Sequence, residues 1–366
     1  MKVDGTAYRT IWVDEGDRWS VRVFDQTKLP WSLEYVRLSN LRDAAHAIRS
    51  MQVRGAPLIG ATAAYGMALA MREDPRTDAM ERAAEILTDT RPTAVNLRWA
   101  IDRMLTRLRN TLPAERVDAA YTEAALIADE DVRQNAAIGE HGQVLLQEVA
   151  DRKPAQPVNV LTHCNAGWLA TVDWGTALAP IYKAHNAGLS IHVWVDETRP
   201  RNQGASLTAW ELGKHGVPHT VISDNAGGHL MQHGKVDMAI VGADRISRNG
   251  DAANKIGTYL KALAARDNEV PFWVAAPSST IDWTVEDGSS IPIEERDAAE
   301  LTTISGRGLD GTVTTVRVVP TSSPAANPAF DVTPSRLLTG FITERGRCEA
   351  SAAGLARLFP DQAPAA

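Results

Sequence analysis

Five short apolar runs in the second half of the chain each end in a polar cluster. Their composition is typical of buried strands. The runs are Val158–His163, Ile191–Val195, His219–Ile222, Met238–Gly242 and Phe272–Ala275. Cys164, Asp196 and Asp244 are among the polar residues that follow them, and stretches of helical composition come next. Such alternation predicts an α/β fold with a parallel sheet, in which all the clusters meet at the carboxyl edge where ligands bind.

The first half of the chain has two other patterns. Arg9–Leu38 alternates in short runs, which predicts a small antiparallel sheet or meander, whereas Ser39–Val149 carries apolar residues at helical spacing. A polar, proline-rich joint, Asp151–Pro157, separates the halves. We therefore expect a β-meander plus helical domain over 1–152 and a Rossmann-like α/β catalytic domain over 153–366.

Composition narrows the class of protein. The chain has 366 residues and a net charge of -7 without a basic run, which argues against a nucleic-acid partner. Neither a signal-peptide core nor an apolar stretch of ~18 residues is present, so we expect a cytoplasmic protein without a membrane span. The two cysteines, Cys164 and Cys348, are too few for a disulfide framework, and no grouped Cys/His spacing predicts a metal.

Two loops of the helical half each have an arginine shortly before a proline at a predicted helix start. Arg54, Gly55, Ala56 and Pro57 precede the apolar helix predicted for Leu58–Met71, so free backbone amides and a cation would suit a phosphate. An ordinary helix start with a solvated arginine explains the same residues. The sequence leaves both hypotheses open, the phosphate site and the ordinary helix start.

The second loop is weaker. Arg91 precedes another helix that is predicted to begin with a proline. An exposed arginine before a helix is common, so this loop by itself does not indicate a site.

Cys164 lies where a strand ends and a helix, predicted for Leu169–Ala187, is expected to follow. Peptide dipoles near a helix start favour the thiolate, which would make Cys164 reactive. The alternative is a small buried apolar residue, the usual role of a lone cysteine.

Asp244 follows an apolar strand, where loss of water would raise its pKa and keep it protonated as a general acid. Its alternative role is to cap the following turn. Asp251 is the better capping candidate because a helix is predicted for Ala252–Ala265, with Asn254 and Lys255 in its first turn. A lysine there opposes the helix dipole and calls for an anion, although simple solvation remains possible.

Several motifs are missing. No GxGxxG follows a strand, no GxxxxGK[ST] is present, and no GxSxG occurs, which argues against a dinucleotide, a nucleoside triphosphate and a serine nucleophile. A thiol, an acid and phosphate-directed groups without a cofactor indicate movement of a proton or hydride within a phosphorylated small molecule.

The chain closely resembles the methylthioribose-1-phosphate isomerase family from about Thr10 to Gly346. Ten ordered motifs carry this resemblance. They are Arg54–Gly60, Arg91–Leu97, Leu161–Gly167, Val195–Arg201, Val241–Ile246, Asn249–Asp251, Asn254–Tyr259, Ile291–Arg296, Asn327–Pro334 and Thr343–Gly346. The family shares its fold with regulatory subunits of a translation initiation exchange factor and with ribose-1,5-bisphosphate isomerases.

The resemblance implies an aldose–ketose isomerase, an intramolecular oxidoreductase of methionine salvage that needs no cofactor and forms a homodimer. It implies that Cys164 and Asp244 are the catalytic pair, with Asp244 as proton donor. The substrate-binding residues that it implies are Arg54, Gly55, Ala56, Arg91, Gln203, Asn254 and Lys255.

The group at C5 of the sugar is left open by the sequence. A methylthio group needs an apolar pocket, a second phosphate needs cations, and 5-deoxyribose 1-phosphate needs less room. A non-catalytic regulatory subunit is a further alternative, against which the retention of both Cys164 and Asp244 argues.

Overall fold

Short antiparallel strands begin the chain in the computed structural model, which describes residues 1–91 and 94–363. They are β1 (Lys2–Val3), β2 (Thr6–Ala7), β3 (Ile11–Val13), β4 (Val21–Phe24) and β5 (Tyr35–Leu38). β4 lies between β3 and β5 in an antiparallel sheet, and its alternate side chains Val21 and Val23 are fully buried. The small antiparallel sheet predicted for Arg9–Leu38 is confirmed.

A group of helices follows. They are α1 (Leu41–Arg49), α2 (Ala56–Glu73), α3 (Thr77–Thr88), α4 (Val95–Arg109) and α5 (Arg116–Arg152). Every residue of α2 from Leu58 to Met71 is buried. A helix that is apolar on all sides needs neighbours on all sides, and α1, α3, α4 and α5 supply them.

The rest of the chain alternates between strands and helices. The strands are β6 (Val158–Thr162), β7 (Ile191–Asp196), β8 (His219–Ile222), β9 (Met238–Val241), β10 (Arg245–Ser247), β11 (Ala252–Lys255), β12 (Phe272–Ala275), β13 (Ile281–Asp282), β14 (Thr303–Arg307), β15 (Val313–Arg317), β16 (Phe330–Thr333), β17 (Gly340–Thr343) and β18 (Gly346–Glu349). The helices are α6 (Ala179–Asn186), α7 (Ala209–His215), α8 (Ala226–Gln232), α9 (Thr258–Asp267), α10 (Ala299–Thr302) and α11 (Ala352–Leu358).

The main sheet of the described residues has the strand order β18-β17-β12-β9-β6-β7-β8. All neighbours in it are parallel except β18, which pairs antiparallel with β17. The five predicted strands are β6, β7, β8, β9 and β12, so the expected parallel sheet is confirmed. Its carboxyl edge faces the start of α2, which places the polar clusters together.

The helix predicted for Ala252–Ala265 is wrong in its first turns. Ala252–Lys255 forms β11, which pairs with β10 on one side and β16 on the other, and α9 begins only at Thr258. Two ladders of backbone hydrogen bonds override the helix propensity of this short segment. Asp251 therefore does not cap α9; its carboxylate accepts the backbone N–H groups of Gly288 and Ser335, the first residues of two short 3₁₀ turns.

The helix predicted for Leu169–Ala187 is also wrong over its first half. Trp168–Ala170 forms a single 3₁₀ turn, and the regular helix α6 begins at Ala179. Gly175, at φ +82°, packs its backbone directly against Gly167, which a continuous helix would not allow.

The predicted division of the chain at residues 152 and 153 falls at the end of α5 and stays a prediction. The first half of α5 packs into the helical core through Ala120, Ala124 and Ile127. Its second half packs against the sheet through Leu145 and Leu146, so one long helix connects both cores. None of the described helices is both long enough and apolar enough to cross a membrane.

Asp131 on α5 should make stability depend on pH. Its carboxylate is buried, accepts the Val172 N–H at 2.7 Å, and has a pKa that burial raises from 3.8 to about 7. The folded state therefore holds a proton that the unfolded state releases, so this contribution is complete below pH 3.8 and is lost as pH rises to about 7. Asp131→Asn should remove the dependence.

Urea unfolding of both proteins across that range tests this prediction. The free energy of unfolding of the unsubstituted protein, relative to Asp131→Asn, should fall with rising pH by at most about 1.4 kcal/mol for each unit of pKa shift. A difference that stays constant with pH would contradict it.

Candidate active site

One cleft lies between the start of α2 and the carboxyl ends of β6, β7 and β9, with about 780 Å³ of empty space. Eight of the nine predicted site residues line it: Arg54, Gly55, Ala56, Arg91, Cys164, Gln203, Asp244 and Lys255. The ninth, Asn254, lines an adjoining cavity that Cys164 and Asp244 also border. The structure thus brings the predicted residues together from both halves of the chain.

Cys164 follows β6 in a left-handed backbone conformation, with φ +68°. Its N–H donates to Thr198 Oγ1 at 2.8 Å, and its thiol lies 3.3 Å from Gln203 Oε1. A non-glycine residue pays a conformational cost at positive φ, and such residues cluster at functional sites. The helix-dipole reason given for its reactivity is wrong because, in the described part of the chain, only the 3₁₀ turn Trp168–Ala170 follows it and α6 begins at Ala179; Arg54 and Lys255 line the same cleft as its thiol.

Asp244 lies just beyond β9, and its N–H donates to the Ala253 carbonyl. Burial raises the pKa of its carboxyl, while Lys255, Arg54 and Arg91 oppose that rise. The expected desolvated acid is therefore present, with cations around it that an anionic ligand would neutralise.

Arg54 is buried, and Asn165 holds its guanidinium through both the side-chain oxygen and the backbone carbonyl. The side chain of Asn165 in turn donates to Thr208 Oγ1 and to the Glu211 carboxylate. Burial raises the pKa of Glu211 to about 7, and the Tyr182 hydroxyl also donates to it. Sequence reasoning missed Asn165 and Glu211 as residues that orient Arg54, although Asn165 belongs to the motif Leu161–Gly167.

Gly55 is required by a close approach. Its φ is +90°, and a Cβ there would lie 2.4 Å from the Ala170 carbonyl oxygen. The helix α2 begins at Ala56, so Pro57 is its second residue rather than its first. The backbone amides at this helix start border the cleft as expected.

Arg91 donates to Glu294 at 3.3 Å, and burial lowers its pKa. The helix after it begins at Val95, so it does not start at a proline as predicted, and Pro92 itself lies outside the described residues. Arg296 also lines the cleft with its side chain only 8% exposed. Sequence reasoning assigned Arg296 no role, although it ends the motif Ile291–Arg296.

Lys255 ends β11 instead of standing in the first turn of a helix, so the dipole argument for its anion is wrong. Its ammonium donates to the Ala329 carbonyl at 2.7 Å and lies 4.4 Å from the centre of the Phe330 ring. Burial lowers the pKa of Lys255, while Cys164 and Asp244 favour its charged form. A buried cation still calls for an anion, now for a different physical reason.

Part of the cleft is apolar, which the sequence did not predict. Its apolar lining comes from Met51, Ile59, Ala94, Val95, Ile291, Pro292, Ile293 and Phe330. We call this set the apolar wall. All of its members except Met51 belong to the family motifs, but nothing in their spacing showed that they would meet at one surface.

Among the described residues, His163, Asp196 and Asp224 form one group whose geometry could hold a metal ion. Lys261 already lies 3.2 Å from Asp196 Oδ2, and the Asp224 carboxylate already accepts the N–H groups of Thr198 and Arg199. These partners make the group a hydrogen-bond network beneath the cleft.

Comparison with known proteins gives consistent matches. Residues 52–350 match the Initiation factor 2 subunit family. Methylthioribose-1-phosphate isomerase of Acidiphilium cryptum is 69% identical over 364 residues, which cover 99% of each chain. The crystal structure of 5-methylthioribose 1-phosphate isomerase from Pyrococcus horikoshii OT3 matches with a TM-score of 0.82 and 41% identity, over 98% of this chain and 97% of that one. Translation initiation factor eIF-2B, subunit delta, from A. fulgidus matches with a TM-score of 0.80 and 40% identity, over 97% of this chain and 100% of that one.

Proposed function

The chain belongs to the methylthioribose-1-phosphate isomerases of the Initiation factor 2 subunit family, and from that premise we propose that it converts 5-methylthioribose 1-phosphate to 5-methylthioribulose 1-phosphate. This reaction would place it in methionine salvage. One observation carries the proposal: a single cleft combines buried cations, a carboxyl of raised pKa, a thiol and an apolar wall.

The cations suit the phosphate of the substrate. Arg54, Arg91, Lys255 and Arg296 all border the cleft, and burial lowers the pKa of the first three. Buried positive charges are costly without an anion, and a phosphate dianion supplies two negative charges. The backbone amides of Gly55 and Ala56 add a helix start, which favours phosphate further.

Asp244 is proposed as the acid that opens the sugar ring. A phosphate on O1 prevents the spontaneous opening of an ordinary aldose, so a proton must be delivered to the ring oxygen as the bond from C1 to that oxygen breaks. Burial already raises the pKa of Asp244, and the cations oppose that rise. Phosphate binding neutralises those cations, so the pKa of Asp244 rises further when the substrate is bound.

Cys164 is proposed to act on the hydrogen at C2. Its thiolate removes this hydrogen as a proton and returns it to C1, or it stabilises a direct hydride shift from C2 to C1. On either route the hydroxyl on C2 becomes the ketone and releases its proton to the Asp244 carboxylate. The acid is thereby restored, and no atoms or electrons are left over.

The apolar wall supports the methylthio group at C5 over the alternatives. A second phosphate would lie against Met51, Ile59 and Phe330 without a hydrogen-bond partner among these side chains. A 5-deoxy sugar would leave the wall partly unfilled. The methylthio sulfur and methyl group bury apolar surface against it.

A competition assay tests the substrate. We expect kcat/KM to be highest for 5-methylthioribose 1-phosphate, then 5-deoxyribose 1-phosphate, then ribose 1,5-bisphosphate. Turnover that is fastest with the bisphosphate would overturn the substrate assignment. Absence of turnover with all three would instead favour a non-catalytic regulatory subunit. The name of the A. fulgidus protein, a translation initiation factor subunit, suggests this alternative.

Ile293→Ala should weaken that preference. Ile293 lines the cleft and is 40% exposed, so shortening it removes wall surface with little effect on folding. The preference for the methylthio over the 5-deoxy substrate should fall about tenfold. Ile86→Ala on α3 is the matched control, since Ile86 is 41% exposed and outside the cleft; an equal loss of preference in both variants would contradict the role of the wall.

We also propose two finer properties, the homodimer that the family resemblance implies and the cytoplasmic location that the composition predicts. Sedimentation equilibrium tests the first of them: a mass of twice 39.6 kDa is expected. A monomer mass at working concentrations would contradict it.

A further inference from the structure

Both ring nitrogens of the buried His163 face oxygen acceptors. Nδ1 lies 2.8 Å from Asp196 Oδ2, and Nε2 lies 2.8 Å from the backbone carbonyl of Ile256. A carbonyl oxygen can only accept, so Nε2 must carry a proton. A neutral imidazole has one N–H and would then meet the carboxylate with a lone pair.

The charges around His163 are unbalanced without a positive ring. Asp196 on β7 is fully buried, Asp224 approaches Nδ1 to 3.9 Å, and Lys261 on α9 is the ammonium beside Asp196. Asp331 on β16 also interacts electrostatically with His163, and burial raises its pKa. Even without Asp331, two carboxylates face one ammonium, and an imidazolium restores neutrality.

An alternative places the shared proton on the Asp196 carboxyl, which would donate it to a neutral ring. The ammonium of Lys261 lies 3.2 Å from that same oxygen and favours the carboxylate form. Asp196 Oδ1 has no partner among the described residues, so Lys261 and His163 both meet this carboxyl at Oδ2, and a hydroxyl there would be a poorer acceptor for the Lys261 ammonium than a carboxylate oxygen. The arrangement therefore favours the proton on His163.

We propose that His163 is a positioning residue, an imidazolium that ties together the strand ends carrying the reactive groups. Cys164 directly follows it, and Ile256, whose carbonyl it holds, directly follows Lys255. Asp196 is the last residue of β7, and Thr198 lies in the loop after it. The Thr198 hydroxyl accepts the Cys164 N–H and donates to the Asp196 carbonyl. We call this set of contacts the His163 bridge; as a means of positioning Cys164 and Lys255 it rests on the proposed function.

The ring fits tightly against the start of α9. Gly257 has φ +102°, and a Cβ at that position would lie 3.1 Å from the Cε1 and Nε2 atoms of His163. The His163 bridge thus closes against a glycine in a conformation that other residues rarely adopt. Loss of the Nε2 bond would release the end of β6 from the end of β11, and loss of the Nδ1 bond would release it from the Asp196 side chain on β7.

Nitrogen NMR of the 15N-histidine-labelled enzyme tests the charge directly and needs no substrate. At neutral pH, one ring that meets an oxygen acceptor at each nitrogen should show protons on both nitrogens. Its signals should disappear in His163→Gln. A spectrum in which every ring is singly protonated would overturn the proposal, whether or not the enzyme isomerises any sugar.

Kinetics test the positioning role separately. His163→Gln keeps one donor and should lower kcat/KM about 10²-fold, since small displacements of reacting groups have effects of this size. His163→Ala, with neither donor, should lose more, and thermal melting identifies any loss that comes from unfolding. His233→Gln, at an exposed histidine, is the matched control and should keep full activity. A folded His163→Gln with unchanged kcat/KM would overturn the positioning role while leaving the proposed function intact.

Discussion

Replacing Asp244 by asparagine should lower kcat by about 10²–10⁴-fold, the usual contribution of a well-placed acid. Asparagine keeps the size and a hydrogen-bonding oxygen but cannot deliver a proton to the ring oxygen. The carboxyl lies among the cations Arg54, Arg91 and Lys255, and in the substrate complex, where phosphate neutralises those cations, it is uncharged, so the substitution leaves the charge of that complex unchanged. Substrate affinity should therefore change much less than turnover. Steady-state kinetics with 5-methylthioribose 1-phosphate measure both.

Asp237→Asn is a matched control at the opposite end of β9. Asp237 precedes β9 as Asp244 follows it, and its carboxylate pairs with Lys153 at 2.6 Å and accepts the Asn159 N–H. That substitution should cost stability and leave kcat nearly unchanged. Near-normal turnover by Asp244→Asn, or an equal fall in both variants, would remove the acid assignment.

The dependence of kcat and kcat/KM on pH gives a further prediction. The protonated form of Asp244 is the active one, so its contribution to activity is complete below the raised pKa and is lost as pH rises through it. Because kcat/KM reports the free enzyme and kcat the substrate complex, the alkaline fall in kcat should lie at higher pH. Phosphate neutralises the cations that hold the pKa of Asp244 down in the free enzyme, which sets the direction of that displacement.

Replacing Cys164 by serine should also lower kcat by about 10²–10⁴-fold. A serine hydroxyl can still donate to Gln203 Oε1, so the local hydrogen bond is kept. It is a much weaker acid than a thiol and cannot supply a comparable anion at neutral pH. The loss therefore reports the chemistry of sulfur more than the packing.

Cys348→Ser is the control that the chain offers, since Cys348 is its other cysteine. It lies on β18 outside the cleft, and burial raises its pKa to about 11, so its thiol is inert. Unchanged turnover is expected for Cys348→Ser. Equal activity of Cys164→Ser and Cys348→Ser would contradict any chemical role for Cys164.

Isotope labelling then separates the two routes open to Cys164. When the reaction runs in deuterated water, deuterium at C1 of the product excludes a direct hydride shift. Its complete absence favours the hydride route and makes Cys164 a stabilising group. The residual activity of Cys164→Ser should be higher on that route.

The sheet and the gathering of the site could be predicted because both depend on local patterns. Buried parallel strands are short apolar runs, and parallel strands bring the residues after them to one edge. That rule predicts that Cys164, Asp196 and Asp244 lie close together, whereas Gln203 comes only from the family resemblance. The helix start at Arg54 gave a physical reason to face an anion, but the loop at Arg91 did not by itself, and its place in the site also comes from the resemblance.

The errors come from tertiary contacts that helical spacing does not show. Ala252–Lys255 has helix-forming composition, but it forms a hairpin with β10, which directly precedes it, and pairs on its other side with β16, far along the chain. The apolar wall, Arg296 and the Asn165–Glu211 support of Arg54 come from distant parts of the chain. Their positions depend on how loops fold over the sheet edge, which no periodicity encodes.

The most direct test of the proposed chemistry is whether Asp244 carries a proton at neutral pH in the substrate-bound enzyme. An infrared difference spectrum between the unsubstituted enzyme and Asp244→Asn, both equilibrated with substrate and product, measures this. We predict the carbonyl stretch of a protonated carboxylic acid that the variant lacks. A difference spectrum showing only an ionised carboxylate would contradict it.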